Sequence, residues 1–211
     1  RHSGPTSVSF TQDVVDHRPG AEPARSTMDE WMLAPSRLRI DVRGEDMSLL
    51  FHARGRTAVT PRGVQESPEV NAALVLMLDI FAQQPAAWLP RAAALGVDTA
   101  VLSEQQWDGV PHLVLGATAG QLDRTQLWFD ARTWLSVRFL ERREGRDGGV
   151  RVFEGRALDY RLFGDVVFHT RFEFLVDGES LLSEVYRDIV IDPPLDPSLF
   201  DPEVIARRFE G

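Results

Sequence analysis

From Arg37 to Val42 apolar and charged side chains alternate strictly, with Leu38, Ile40 and Val42 set against Arg37, Arg39 and Asp41. That two-residue period places the apolar groups on one face of a strand, as in a half-buried antiparallel sheet. Related stretches recur along the chain: STMDEWML, MSLLFHA, DTAVLSEQQW, VPHLVLGA, TQLWFD, LSVRFLERR, VRVFEGRALDY, VVFHTRFEFLV and SLLSEVYRDIVI. In VVFHTRFEFLV the period places Val166, Phe168, Thr170, Phe172, Phe174 and Val176 on one face. Val167, His169, Arg171, Glu173 and Leu175 take the other. Asp108-Gly109 predicts a two-residue hairpin between two of these strands. REGRDGG, FGD and VDGES predict turns between the last of them.

One region breaks the period. VNAALVLMLDIFA, residues 70–82, is apolar almost all round a helix and is bracketed by Pro68 and Pro85. A helix from about Pro68 to Gln83 is expected, with Ser67 as its cap and Pro68 in its first turn. A helix apolar on nearly every side is buried on more than one side. AAWLPRAAAL predicts a second helix ending at Gly96, kinked or divided at Pro90. The chain closes on DPPLDPSLFDPEVIARRF, whose four prolines exclude a central strand and leave room for one or two helical turns.

These elements predict a mainly β (α+β) chain: about ten or eleven antiparallel strands, with two helices inserted after roughly the fourth. A sheet of that size curls, and two helices cannot cover its whole inner face. An incomplete barrel is expected, with the helical segment of about residues 68–95 lying across its mouth as a lid. The length of 211 residues and the absence of a linker-like block predict a single domain over 1–211.

Composition narrows the function. The formal charge of -9 disfavours generic nucleic-acid binding. The absence of cysteine excludes disulfides, thiolate nucleophiles and cysteine-held metals. Of the five histidines, His52, His112 and His169 fall on predicted strands, but none has metal-ligand or triad spacing. They are expected to be ordinary histidines at the sheet surface. No phosphate loop, nucleophile elbow or identifiable carboxylate pair stands out, so no catalytic residue, metal or cofactor is expected.

Three segments in order resemble the LolA-like lipoprotein carriers and lipoprotein-sorting proteins. SVSFTQDVV followed by EWMLAPSRLRIDV resembles the opening strands of that family. LWFDARTWLSVRF resembles its strand–turn–strand motif, with Trp128, Thr133, Leu135 and Arg138 in the characteristic places and Ser136 where a proline is usual. IDPPLDPSLFDP resembles a closing segment of the broader group. The resemblance implies an incomplete barrel with a helical lid over an apolar cavity. It further implies a non-enzymatic protein, exported to the periplasm or cell envelope, that binds and transports acyl chains of lipids or lipoproteins. Its partners would be that acyl chain and a membrane-associated donor or acceptor protein, without nucleic acid. The alternative is an envelope sensor or interaction domain of the same fold that binds a protein partner. The carriers have an arginine just before the proline of the second turn that helps to hold the lid closed. Ala34 stands there in this chain, which implies a relative without that lock.

Period-two reading of the strands gives the expected cavity wall as Leu38, Ile40, Leu49, Phe51, Leu127, Phe129, Val137, Phe139, Phe168, Phe172 and Phe174. The helices are expected to add Leu74, Leu78, Phe81 and Trp88. A register error of one residue would move a whole set to the other face.

Overall fold

A computed structural model describes residues 5–144 and 148–209. Among these residues thirteen strands form one sheet with neighbouring strands antiparallel. The first six are β1 (Ser7–Asp16), β2 (Ala24–Leu33), β3 (Arg37–Val42), β4 (Ser48–His52), β5 (Gly55–Thr60) and β6 (Gly63–Ser67). After the helical insertion come β7 (Leu102–Trp107), β8 (Val110–Leu115), β9 (Gln126–Asp130), β10 (Ser136–Glu144), β11 (Val150–Phe163), β12 (Val166–Val176) and β13 (Glu179–Ile191). The spatial order is β6-β5-β4-β3-β2-β1-β13-β12-β11-β10-β9-β8-β7. Two meanders are thus joined where β1 pairs with β13, and β6 and β7 are left as the two free edges. Since β6 and β7 do not pair, the sheet curls without closing, and the chain joining them must cross its open side.

The strand alternation is realised as expected in β3 and β4. Leu38 and Leu50 are buried on opposite faces: Leu38 packs with Phe10 and Met32, and Leu50 with Val59. The hairpin at Asp108-Gly109 forms, with both residues at positive φ and Trp107 opposite Val110. Part of the predicted turn REGRDGG, residues 145–147, lies outside the described residues. Two strands lie beyond those the pattern predicts: β5 (GRTAVT) and β6 (GVQES) are short and rich in small or polar groups, and β6 is almost wholly exposed. An edge strand has no second partner and little apolar face to betray it. The insertion therefore follows the sixth strand.

The first inserted helix also begins later than the prolines suggest. It runs over 72–82, with a π-helical turn at Leu74–Leu78 passing into α1 (Asp79–Ala82). The Asn71 side chain, not Ser67, accepts the hydrogen bond from the Leu74 amide at 3.1 Å. Ser67 ends β6 instead. The π turn is held from outside: the Trp88 indole donates to the Val75 carbonyl at 2.8 Å and the Ser136 hydroxyl to the Met77 carbonyl at 3.3 Å. The second helix, α2 (Pro85–Ala94), runs through Pro90 as a single element, so the proline does not divide it.

The C-terminal segment crosses the outer, convex face. Asp196 and Asp201 cap a 3-10 turn (Pro197–Phe200) and α3 (Pro202–Ala206) by accepting from the Ser198 and Glu203 amides, both at 2.9 Å. Ile205 is fully buried against Leu50 and Val59. Arg39 donates to the Leu199 carbonyl at 3.1 Å, and Arg208 reaches Asp41 at 3.0 Å. These contacts cover the back of β3–β5 and leave the concave side to the insertion.

Candidate functional site

The concave face has two unlike halves. Over β9–β12 the insertion packs down directly: Ala72, Ala73, Leu76, Met77, Trp88 and Ala92 meet Leu127, Phe139, Ala157 and Phe172. Gly155 is required in this half because any Cβ would collide with the Phe139 ring. Over β1–β4 the insertion stands off, and a cavity of about 600 Å3 remains between it and the sheet. That volume lies within the range that holds a small ligand. Leu74 and Leu78 of the π turn face it from above, and β12 and β13 close its far side.

The expected wall residues divide accordingly. Leu38, Ile40, Leu49, Phe51, Leu74, Leu78, Phe168, Phe172 and Phe174 line the cavity. Trp88, Leu127 and Phe139 are instead buried in the filled half, with Phe129 packed beside them. Their inward phase is as read, but the small residues Ala72, Ala73 and Ala92 let the helices approach that half closely enough to leave no space. Val137 points the other way. The β9–β10 register shifts between Ser136 and Arg138, so Val137 sits in a bulge on the convex face with Val114 and Trp128. The side chain of Phe81 lies outside the described residues.

The cavity floor is polar, which the expected wall did not include. Three adjacent strands each turn a polar group inward: Glu30 on β2, Gln12 on β1, and Glu184 with Tyr186 on β13. The Tyr186 hydroxyl donates to the Glu184 carboxylate at 2.9 Å, and Gln12 adds a second side-chain hydrogen bond to it. Among the described residues no hydrogen bond reaches the carboxyl of Glu30, although only 5% of that residue is exposed. A signal existed in the sequence: the inward phase of β2 reads Met28, Glu30, Met32, a carboxylate between two thioethers.

His169 also departs from expectation. It is 4% exposed, stacked on Phe168 at 4.6 Å between centroids and surrounded by Phe172, Tyr160 and Tyr186. The pairing of β11 with β12 skips Asp159 and Thr170, with Asp159 at positive φ. Phe168 and His169 both line the cavity beside this point. Burial pushes its imidazole down to about 3, so it is neutral at physiological pH. His112 is likewise buried, on the convex face against Trp107 and Trp128.

Burial raises the Glu184 carboxyl to about 7, against the hydrogen bonds from Tyr186 and Gln12. Burial, and then the Glu184 charge, raises Glu30 well above the usual carboxylate range. A carboxyl with a raised folded-state pKa stabilises the fold fully below its unfolded value and loses that contribution as pH rises through the folded value. The Glu184 contribution, on the order of 3 kcal/mol, is therefore expected to be lost between about pH 4.5 and 7, while buried neutral His169 contributes in the opposite sense, gaining as pH rises toward its unfolded value. Urea denaturation of the parent and of Glu184→Gln across that window checks this: the parent is expected to lose stability relative to the variant by that amount as pH rises.

The insertion is latched to the β2–β3 turn. Asp79, fully buried at the start of α1, accepts from the Ser36 amide at 2.8 Å and from the Ser36 hydroxyl. Arg91 of α2 meets Asp79 at 2.9 Å and donates to the Ser36 hydroxyl as well. Ser36 holds a positive φ directly after Pro35, which aims its amide at the insertion.

No protein-family model and no curated protein matches the sequence. Solved structures do match the architecture just described. A putative outer membrane lipoprotein-sorting protein domain from Vibrio parahaemolyticus superposes with a TM-score of 0.64 at 11% identity, covering 95% of this chain and 91% of the other. The fold is LolA-like. A LolA superfamily protein from Nitrosomonas europaea matches with a TM-score of 0.60 at 10% identity over 93% and 90% of the two chains. A DUF1329 family protein from Desulfovibrio piger gives 0.64 at 13% identity over 95% and 92%. Within the LolA-like fold, the half-barrel and the helices across its mouth are the elements that enclose the cavity. No helix among the described residues is long and apolar enough to cross a membrane. No group of metal-ligating side chains occurs among them either.

Proposed function

We propose that this chain is a non-catalytic envelope protein, acting as one domain, that takes up an acyl chain of a lipid or lipoprotein into the cavity over β1–β4. The observation that carries the reading is the cavity itself, enclosed by apolar side chains of β3, β4 and β12 and roofed by Leu74 and Leu78. Each methylene moved from water into such a lining contributes about 0.8 kcal/mol. A chain of about 14–16 carbons would supply about 11–13 kcal/mol before the costs of association. Apolar burial alone is then sufficient for tight binding. The half-barrel shared with a lipoprotein-sorting domain supports the same class of cargo. The helical segment of residues 68–95 would act as the lid that admits the chain, and a membrane-associated donor or acceptor would deliver or receive it.

Leu49, half-buried on the cavity wall, provides the test. Leu49→Trp fills the cavity from the sheet side. It is expected to weaken uptake of a fluorescent long-chain acyl probe at least roughly tenfold while the thermal midpoint stays within about 5 °C of the parent. Undiminished uptake by this variant would place binding elsewhere.

A further inference from the structure

An acyl chain leaves the floor of the cavity unexplained. Glu30 is 5% exposed, Glu184 8% and Gln12 3%, and all three line the space over which an apolar chain would lie. Glu184 has the Tyr186 hydroxyl and Gln12 as partners. Glu30 has none among the described residues, yet it faces the cavity between Met28 and Met32. A buried carboxyl without a partner is costly, so an occupant that donates to it gains what an all-apolar occupant would forfeit.

The surroundings discriminate between donors. The groups facing Glu30 are Gln12 from β1, Glu184 and Tyr186 from β13, and neutral His169 from β12, while β3 turns Leu38, Ile40 and Val42 toward the cavity. None of these is a cation. Arg18 and Arg25 lie at the exposed rim, where Arg18 is engaged by Asp16 at 2.6 Å, with Glu45 nearby. Asp79 and Arg91 are committed to the latch. A ligand carboxylate or phosphate at the floor would face two acidic groups with no positive partner. One carboxyl would serve a neutral hydroxyl. Two of which one stays protonated carry one negative charge, which one ammonium neutralises. Phe10, stacked on Tyr186 at 4.4 Å, and Phe168 add aromatic faces to which a cation is attracted.

We infer that the natural ligand is an aliphatic amine amphiphile, whose ammonium group is held by Glu30 and Glu184 at the floor and whose chain lies along the apolar wall. The inference rests on the acyl-chain reading and specifies the polar end of its ligand. Binding brings a cation to carboxyls that burial keeps protonated, so it releases a proton and strengthens as pH rises. The charges at the rim, Asp16, Arg18, Arg25 and Glu45, are solvated and weigh little on this dependence.

The test uses three probes of equal chain length: dodecylamine, dodecanol and dodecanoate. Isothermal titration is run at pH 6 and pH 8 in two buffers of different ionisation enthalpy. The amine is expected to bind at least roughly tenfold more tightly than dodecanoate at pH 8, to release close to one proton on binding at pH 6 and little at pH 8, and to bind more tightly at pH 8 than at pH 6. Glu30→Gln, nearly isosteric and without charge, is expected to remove most of the preference for the amine and to leave dodecanol within about twofold. Glu184→Gln provides the second variant. Equal binding of all three probes, or a preference that survives both variants, overturns the amine inference and leaves the acyl-chain reading standing. Failure of all three to bind overturns both.

Discussion

Asp79→Ala is expected to destabilise the protein by about 3–5 kcal/mol and to release the helical insertion. The carboxylate is fully buried and receives the Ser36 amide, the Ser36 hydroxyl and the Arg91 guanidinium. Truncation leaves the buried Ser36 amide without an acceptor and a guanidinium without its counter-charge. Arg91 is 24% exposed and can recover some solvation, which puts the loss toward the lower end of that range. Urea denaturation gives the stability change. Hydrogen exchange over residues 72–94 gives the release, with protection expected to fall there before it falls in β9–β12. Asp79→Asn keeps an acceptor for Ser36 and is expected to lose less. The latch also bears on Ala34. The arginine that the resemblance places before Pro35 is absent, and an acid on the insertion bonds to the same turn from the other side.

Arg138→Leu is expected to cost a similar amount, about 3–5 kcal/mol, with no direct effect on the cavity. Arg138 is 8% exposed on the convex face. It donates to Glu154 at 2.6 Å and lies over the rings of Trp107 and Trp128 at 4.8 and 5.0 Å. Removal strands Glu154, whose remaining partner is Arg156. Burial alone would raise the Glu154 carboxyl, but the hydrogen bonds from Arg138 and Arg156 outweigh it and hold it below its ordinary value. A depressed carboxyl stabilises the fold above its unfolded value and loses that contribution as pH falls through the folded one. The parent should therefore lose stability below about pH 4, and Arg138→Leu should lose part of that acid sensitivity. Thermal melts of both proteins from pH 3 to 7 check this.

The place of Arg138 shows what the motif LWFDARTWLSVRF does. Its Trp128 and Arg138 do not line the cavity; they clamp the outer face. Asp130 shapes the turn by accepting from the Arg132 and Thr133 amides at 2.9 and 2.8 Å. Trp134 at the turn is 62% exposed. Of the rings in that stretch, only Phe139 and Phe129 turn toward the concave side, and there they pack against the protein's own helices.

Strand phase was legible wherever the period ran unbroken. Leu38, Ile40, Leu49 and Phe51 reach the cavity because β3 and β4 pair in simple register. Phase failed where the strand departs from regular pairing, by a register shift at Val137 and by the unpaired Asp159–Thr170 position beside His169. Val137 in the β10 bulge and His169 beside the β11–β12 irregularity each sit on the face opposite to the one assigned. A bulge changes which residues share a face without changing composition, so an alternation pattern does not reveal it. The division into a filled and an empty half was illegible for another reason. It depends on how closely the insertion approaches each half, which the Asp79 latch and the alanines of 72, 73 and 92 set together. The polar floor is written in the strand phase but scattered along the chain. Glu30, Gln12 and Glu184 sit in inward phase on strands adjacent in space, but β13 lies far from β1 and β2 in the chain.

The most direct test of the central claim, that the cavity over β1–β4 holds an aliphatic chain, is native mass spectrometry of the intact chain and of Leu49→Trp after incubation with an excess of long-chain amphiphile. A single retained molecule per protein in the parent, absent from Leu49→Trp, is the predicted result. An unchanged mass in the parent, or equal retention by both proteins, would contradict it.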